Sequence, residues 1–434
     1  MTEYYDELET RSMAARAAAL AVALPATLRA AQSTPAMSAA LASVDASGVT
    51  TPAALARLPV TRKIELAERQ KAGRSGAKSG DNSGDDANNP HDPFGGFSTI
   101  GWRHLRGLKG ARRVYQSPGP IYEPEGQGND YWRVARAMFA AGFRAGDLVH
   151  NSFSYHLTPG AWIMESGAQA LGASVFPGGV GNTDMQLAAM ADLRPDGYAG
   201  TPSFLRIALE RAAETGLALP SLKKALVSGE AFPPSLGEWL IERGIAAYQC
   251  YATADVGLIA YETAAREGLV LDEGVVVEIV RPGTGDVLPD GEVGEVLVTA
   301  LNADYPLIRF GTGDLSAVMP GTCPTGRSNA RIKGWLGRAD QTAKVRGMFV
   351  HPSQVADVLR RHPELLRARL VVQGEMAQDE VSLRVETRAL AEGLAEAVAR
   401  SMRELTKLRC DVTLLAPGSL PNDGKVIEDL RSYK

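Results

Sequence analysis

Cysteine is scarce in this 434-residue chain: Cys250, Cys323 and Cys410 stand far apart, with no Cys-x-x-Cys pair. That spacing argues against a disulfide framework and a four-ligand zinc site, and it fits a reducing, cytoplasmic setting. An excess of positive charge is also missing. Lys and Arg number 46 against 50 Asp and Glu, for a net charge of -4. With no RNA- or DNA-binding motif in view, nucleic acid is not an expected partner. The N-terminus, "MTEYYDELETRSMAARAAALAVAL", begins acidic and lacks the basic region that precedes the apolar core of a signal peptide. The Ala-rich run "AARAAALAVALPATLRAA" is interrupted by Arg16, Pro25 and Arg29, which leaves it short of the roughly 20 apolar residues of a membrane span. A packed amphipathic helix is expected there, and no membrane partner. What remains, 45% hydrophobic and 22% charged residues, is an ordinary soluble globular balance. At roughly 150 residues per domain, the length implies two or three domains.

Residues 1–70 read as helical, with "LPVTRKIELAERQ" a short helical entry. "KAGRSGAKSGDNSGDDANNPHDP" follows, rich in Gly, Ser, Asn and Asp and nearly free of large apolar residues. It cannot bury enough surface to order itself, so residues 71–92 read as an exposed, flexible insertion. The stretch "NDYWRVARAMFAAG" at 129–142 reads as a helix. Strand and helix patterns then alternate to about residue 250, which predicts a mainly parallel sheet covered on both faces. Ligands on such sheets bind beyond the carboxyl ends of the strands. Those ends fall near Gly178–Gly179, Gly200–Thr201, Gly229–Glu230 and Tyr251–Asp255. "GVVVEIVRPGTGDVLPDGEVGEVLVTAL" reads as an antiparallel hairpin. Beyond it, "RARLVVQG" and "EVSLRVET" read as paired strands, followed by the helix "ALAEGLAEAVARSMRELTKL" and the strand "CDVTLLAPG". The expected fold is α/β: a large N-terminal domain, 1–338, with mainly parallel sheets and a β-rich subdomain, plus a small, mobile α+β C-terminal domain, 339–434.

Four short stretches carry chemistry. In "LIRFGTGDLSAVM" a strand runs into Gly311-Thr312-Gly313-Asp314. The glycines admit close backbone approach, and the carboxylate can accept two hydrogen bonds from a diol such as a ribose. "GRADQTAKVRG" lies at the domain boundary, where a Gly-Arg-x-Asp cluster suits a hinge with an Arg facing a cleft. "LPNDGKVIEDL" places Lys425 at a loop tip. "SPGPIYEP", Ser117 to Pro124, precedes the 129–142 segment in the place of a phosphate-binding loop. It offers two prolines without an N–H, a Tyr, and Glu123 with the wrong charge for phosphate.

In order and spacing these motifs resemble the adenylate-forming enzymes, specifically the phenylacetate–CoA ligase family. "YDELETRS", "HDPFGGF", "VSGEAFPP" and "RFGTGDLSAVMPGTCPTGRSNARIKGWLGRADQTAKVRGMFVHPSQV" look like that family too, and the likeness covers nearly the whole chain apart from the insertion. The resemblance implies an ATP-dependent acid–CoA ligase acting on an aromatic, phenylacetate-like acid. In the first step a carboxylate attacks the α-phosphate of ATP, giving an acyl-adenylate and pyrophosphate. The small domain then rotates, and the thiol of coenzyme A displaces AMP.

Carried onto this sequence, the resemblance puts Asp314 on the ribose hydroxyls, Arg338 on ribose or phosphate, and Asp340 at the hinge. Lys425 would stabilise charge between carboxylate and α-phosphate. Ser228, Gly229, Glu230 and Tyr251 would surround the adenine, the Tyr ring stacking on it, with Tyr155 and His156 near the acyl pocket. A packed core Tyr and a capping His are the structural alternatives for that last pair. Tyr251-Ala252-Thr253-Ala254-Asp255 matches the family's Tyr-Gly-x-Ser/Thr-Glu, with Asp255 as the acid that helps hold Mg²⁺. A homodimer is the family-level expectation.

The phosphate loop departs from the family's Ser-Ser-Gly-Thr-Thr-Gly-Lys-Pro. Ser117, Gly119 and Pro124 persist, while Pro120, Ile121, Tyr122 and Glu123 replace Thr-Thr-Gly-Lys. An anion near triphosphate is unfavourable by on the order of 1 kcal/mol per nearby charge pair, to be offset by Mg²⁺, backbone N–H groups and basic residues such as Arg112 or Arg113. Two alternatives stay open. One is a homologue that has lost adenylation and binds nucleotide or acyl-CoA. The other is an adenylating enzyme with a non-CoA acceptor.

Overall fold

A computed structural model of the chain describes residues 3–75, 92–103, 109–336, 339, 343–346, 348–350, 352–374, 379–388, 391–421 and 425–431. Residues 76–91 of the expected insertion lie outside them. Lys71 to Ser75 do not belong to a loop; they complete the helix Lys63–Ser75. The chain divides into two compact units, Met1–Gly229 with Leu236–Gly337, and Glu230–Ser235 with Arg338–Lys434.

The strands of the first unit, in chain order, are β1 (Thr61–Arg62), β2 (Arg113–Ser117), β3 (Ile121–Glu125), β4 (Leu148–Asn151), β5 (Ser174–Pro177), β6 (Gly197–Gly200), β7 (Lys224–Val227), β8 (Ala246–Thr253), β9 (Gly257–Glu262), β10 (Leu269–Leu271), β11 (Val275–Val280), β12 (Gly294–Ala300), β13 (Phe310–Ser316), β14 (Val318–Met319) and β15 (Arg331–Ile332). Their largest sheet runs β14-β15-β10-β9-β8-β7-β6-β4-β5. From β8 through β5 every pairing is parallel. From β8 back to β14 every pairing is antiparallel. The sheet is therefore parallel only where helices alternate with strands, as the crossover rule requires. A second sheet runs β1-β13-β12-β11, and its β11–β12 pair is the predicted antiparallel hairpin. All seven residues of β12 are buried, which a strand between two partners under a covering layer demands.

Two further sequence expectations need correction. The helix Met13–Gln32 runs unbroken through Pro25. By length and composition it is long and apolar enough to cross a membrane. Leu24, Pro25, Thr27, Leu28 and Ala31 are buried against the protein, and Thr27 Oγ1 donates to the Ala23 carbonyl at 2.9 Å. The helix expected at 129–142 spans only Ala135–Ala140. Asp130 explains the late start: its carboxylate accepts from the N–H groups of Val134 and Ala135, both at 2.9 Å, in the manner of an N-terminal cap.

The second unit contains β16 (Ala343–Val345), β17 (Met348–Val350), β18 (Leu365–Gln373), β19 (Glu380–Thr387), β20 (Asp411–Leu415) and β21 (Ile427–Asp429), with helices Pro352–Arg361 and Leu394–Thr406. Its main sheet has the order β20-β19-β18-β21. Val355, Val358, Leu370, Leu383, Val398 and Met402 meet in its core, the helix residues at the spacing of one apolar face.

Candidate active site

The parallel strands deliver polar groups at their carboxyl ends. Ser152 follows β4 and donates its N–H to Ala199 at 2.8 Å; its hydroxyl meets that of Tyr198 at 2.6 Å. Ser228 follows β7, and its hydroxyl donates to the Cys250 carbonyl at 2.8 Å. Gly229 beside it has φ +82°, a backbone state that glycine adopts without strain. Glu230 is half-buried.

Asp314 lies near the end of β13, only 7% exposed. The Tyr251 hydroxyl donates to its Oδ2 at 2.8 Å, and the Trp335 indole N–H to its Oδ1 at 3.0 Å. The Tyr251 hydroxyl also lies 3.1 Å from Thr312 Oγ1. These contacts set the plane of the carboxylate. Tyr251, expected only as a stacking ring, thus also joins the largest sheet to the GTGD strand. Thr312 was read only as part of the GTGD turn, with no role of its own, and Trp335 was not singled out by sequence reasoning. Trp335 stands beside the Gly-Arg-x-Asp motif, and that adjacency was the one available signal.

The stretch in the phosphate loop's place is no open, Gly-rich cradle. It forms the hairpin β2–β3, with Ser117 opposite Ile121 and Tyr115 opposite Glu123. Gly119 is exposed at its tip. Side chains alternate between faces in a strand, so Tyr115, Ser117, Ile121, Glu123 and Glu125 are all buried on one side. Glu123 is therefore not presented to solvent phosphate. It is fully buried, hydrogen-bonded to the Ser117 hydroxyl. Burial raises its carboxyl well above the usual range, and the nearby Asp255 charge adds to the rise. Arg113 donates to Glu125 at 2.9 Å and lies over the Trp162 ring at 4.2 Å. Arg112 is exposed.

Asp255 sits in the β8–β9 turn and is 3% exposed. Its Oδ2 accepts from Lys63 Nζ at 2.7 Å, and its Oδ1 is buried without a partner. Thr253 Oγ1 accepts from the Val256 N–H at 3.2 Å and so braces the turn. Ala252 is half-buried. Lys63 gave no signal in the sequence. It arrives because β1 pairs in parallel with β13, Thr61 opposite Phe310 and Arg62 opposite Gly311. Lys63, the first residue of its helix, thus brings a cation to Asp255.

Of the expected acyl-pocket pair, the Tyr155 hydroxyl donates to Glu165 Oε2 at 2.8 Å and accepts from Asn151 Nδ2 at 2.9 Å. Its ring packs edge-on against Trp162. His156 is exposed. Lys425, in the second unit, is half exposed and lies 3.7 Å from Glu428 Oε1. Arg338 and Asp340 lie outside the described residues.

The family "AMP-binding enzyme" matches residues 133–302, and "AMP-binding enzyme C-terminal domain" matches residues 347–430. A phenylacetate-coenzyme A ligase of Escherichia coli K12 is 30% identical over 348 residues, covering 74% of this chain and 79% of that one. The chain belongs to the phenylacetate–CoA ligase family. A second such ligase, from Thermus thermophilus, is 29% identical over 87% of both chains. The solved 2-hydroxyisobutyryl-CoA ligase, in complex with 2-HIB-AMP and CoA, matches with a TM-score of 0.80 at 25% identity, covering 100% of this chain and 93% of that one. As a member of the phenylacetate–CoA ligase family, the protein is an AMP-forming acid–CoA ligase of the adenylate-forming fold, using ATP and coenzyme A.

Proposed function

We propose that this ligase activates an aromatic, phenylacetate-like acid. The observation that carries the nucleotide half of the proposal is the buried Asp314 carboxylate, held by Tyr251 and Trp335. Two ribose hydroxyls donate to it, with the Tyr251 ring against the base and Ser228, Gly229 and Glu230 beside it. The acid's carboxylate oxygen attacks the α-phosphorus and pyrophosphate leaves. The thiol of coenzyme A then attacks the acyl carbonyl and AMP leaves. Lys425, a compact point charge, stabilises the charge that builds in the first step, and Arg338 contacts ribose or phosphate.

Asp255 suits Mg²⁺: a buried carboxylate oxygen without a partner is the hard donor that this ion prefers. Bound there, Mg²⁺ would neutralise phosphate charge. Lys63, paired to the same carboxylate, supplies a second positive centre, so the altered hairpin does not by itself disable the use of ATP. The aromatic preference draws on the relatives' names and on the Tyr155–Trp162 pair. We also propose a cytoplasmic homodimer; light scattering tests the dimer, and cell fractionation the location.

The deciding experiment is calorimetry of ATP·Mg²⁺ and AMP binding, followed by a pyrophosphate-release screen of acids that includes phenylacetate and 2-hydroxyisobutyrate. Turnover of an aryl-acetic acid that requires coenzyme A is the expected result. AMP binding without ATP binding would identify a protein that has lost adenylation. Turnover without coenzyme A would identify another acyl acceptor.

A further inference from the structure

Three buried oxygens without partners belong to residues that interact electrostatically: Glu123 Oε2, Asp255 Oδ1 and the Tyr305 hydroxyl. They come from β3, the β8–β9 turn and the approach to β13. Glu123 is 0%, Asp255 3% and Tyr305 2% exposed. Each carboxylate has one oxygen already engaged, by the Ser117 hydroxyl and by Lys63 Nζ respectively. Leaving a buried acceptor unmet is costly. Among the described residues, no three His, Cys, Asp or Glu side chains cluster. Mg²⁺ and its analogues need no such cage, since one or two carboxylates suffice with further oxygens. The Lys63 side chain, 36% exposed, connects Asp255 to solvent.

We propose that Glu123, the residue standing in place of the loop lysine, is a ligand of the divalent cation together with Asp255, with the Tyr305 hydroxyl completing an oxygen face. This rests on the reading of Asp255 as the metal-holding acid. The substitution that takes a cation out of the phosphate loop then draws the metal ion to the loop instead. The competing account is a single proton shared by the two carboxylates.

Mn²⁺ binding to the full chain, read by loss of the free-ion paramagnetic signal, separates the two. The wild type is expected to bind one Mn²⁺. Glu123→Gln, which keeps the shape and a partner for Ser117, is expected to weaken binding at least tenfold, as is Asp255→Asn. Mn²⁺ is expected to raise the unfolding temperature of the wild type and not that of Glu123→Gln. Without metal, Glu123→Gln is expected to unfold at or above the wild-type temperature, because it removes a carboxyl that burial and the nearby Asp255 charge both disfavour; a purely structural glutamate would give a lower one. Mn²⁺ affinity unchanged in Glu123→Gln but lost in Asp255→Asn would overturn the role of Glu123 and leave the ligase reading standing. Normal AMP binding with no Mn²⁺ binding by the wild type would overturn it in favour of the shared proton. Loss of both AMP and Mn²⁺ binding in the wild type would sink the ligase reading as well.

Discussion

Replacing Asp314 by Asn tests the nucleotide seat most directly. Asn can keep the local frame: its oxygen faces the Trp335 N–H, and its amide donates to the Tyr251 hydroxyl oxygen, the two contacts that hold Asp314 at 3.0 and 2.8 Å. The fold should therefore survive. What changes is the acceptor offered to ribose. A hydrogen bond to a charged acceptor is worth about 1.5–3 kcal/mol and a neutral one about 0.5–1.5. The difference is about 1–1.5 kcal/mol for each of two hydroxyls, or about 2–3 kcal/mol in all. At a factor of ten per 1.4 kcal/mol, AMP should bind about 30- to 150-fold more weakly. Calorimetry with AMP reads the loss, and thermal unfolding checks integrity. Tyr251→Phe removes the brace on Oδ2, along with the contact to Thr312 Oγ1, and should weaken AMP by roughly 3- to 10-fold, from the net worth of the hydrogen bond to the carboxylate. If Asp314→Asn binds AMP within about threefold of wild type while unfolding normally, the assignment of the ribose seat is wrong.

Other consequences can be checked separately. Lys425→Ala should cut pyrophosphate release at saturating acid and ATP by about a hundredfold or more, the scale on which one charge-stabilising donor acts, with AMP affinity unaffected; an unchanged rate would remove Lys425 from the mechanism. Glu278 and Arg309 form a bidentate pair at 2.9 and 3.0 Å between β11 and the residue just before β13. Glu278→Gln leaves the Arg309 guanidinium, 2% exposed, with its carbonyl partners Leu58 and Gly285 but without its counter-charge, and should cost about 3–5 kcal/mol in denaturant unfolding. Burial pushes the Asp130 carboxyl up to about 7, against the pull of the Ala135 and Val134 N–H groups. A raised carboxyl favours the protonated native state, so its stabilising contribution is full below about pH 4 and is lost as pH rises through 7. The stability of Asp130→Asn relative to wild type should therefore improve by on the order of 2–4 kcal/mol between pH 4 and 8; a difference independent of pH would refute the assignment.

Much of the fold and part of the site were legible in the chain. The strand–helix alternation over 130–250 announced a parallel sheet because crossover helices and buried strands leave distinct periodicities. The Thr201-Pro202 start of its helix was equally local: Thr201 Oγ1 caps the Phe204 N–H at 3.4 Å. The GTGD strand and Lys425 could be picked out because their chemistry sits in a few consecutive residues. The order of those motifs pointed to the family.

Tertiary structure alone decided what the unusual loop does. From its letters, Glu123 is an anion placed where phosphate binds. Pairing β2 with β3 turns alternate residues inward, so Glu123 faces Asp255 and Ser117 rather than solvent. Lys63 reaches Asp255 across 192 residues of sequence, because β1 pairs with β13 from the far side of the chain. Trp335 and Tyr251 converge on Asp314 from two other segments in the same way. Local propensity and periodicity act over a few residues and are written in the sequence. The charge environment of a buried carboxylate is set by whichever distant side chains the sheets bring within a few ångströms, and no short stretch of sequence contains them.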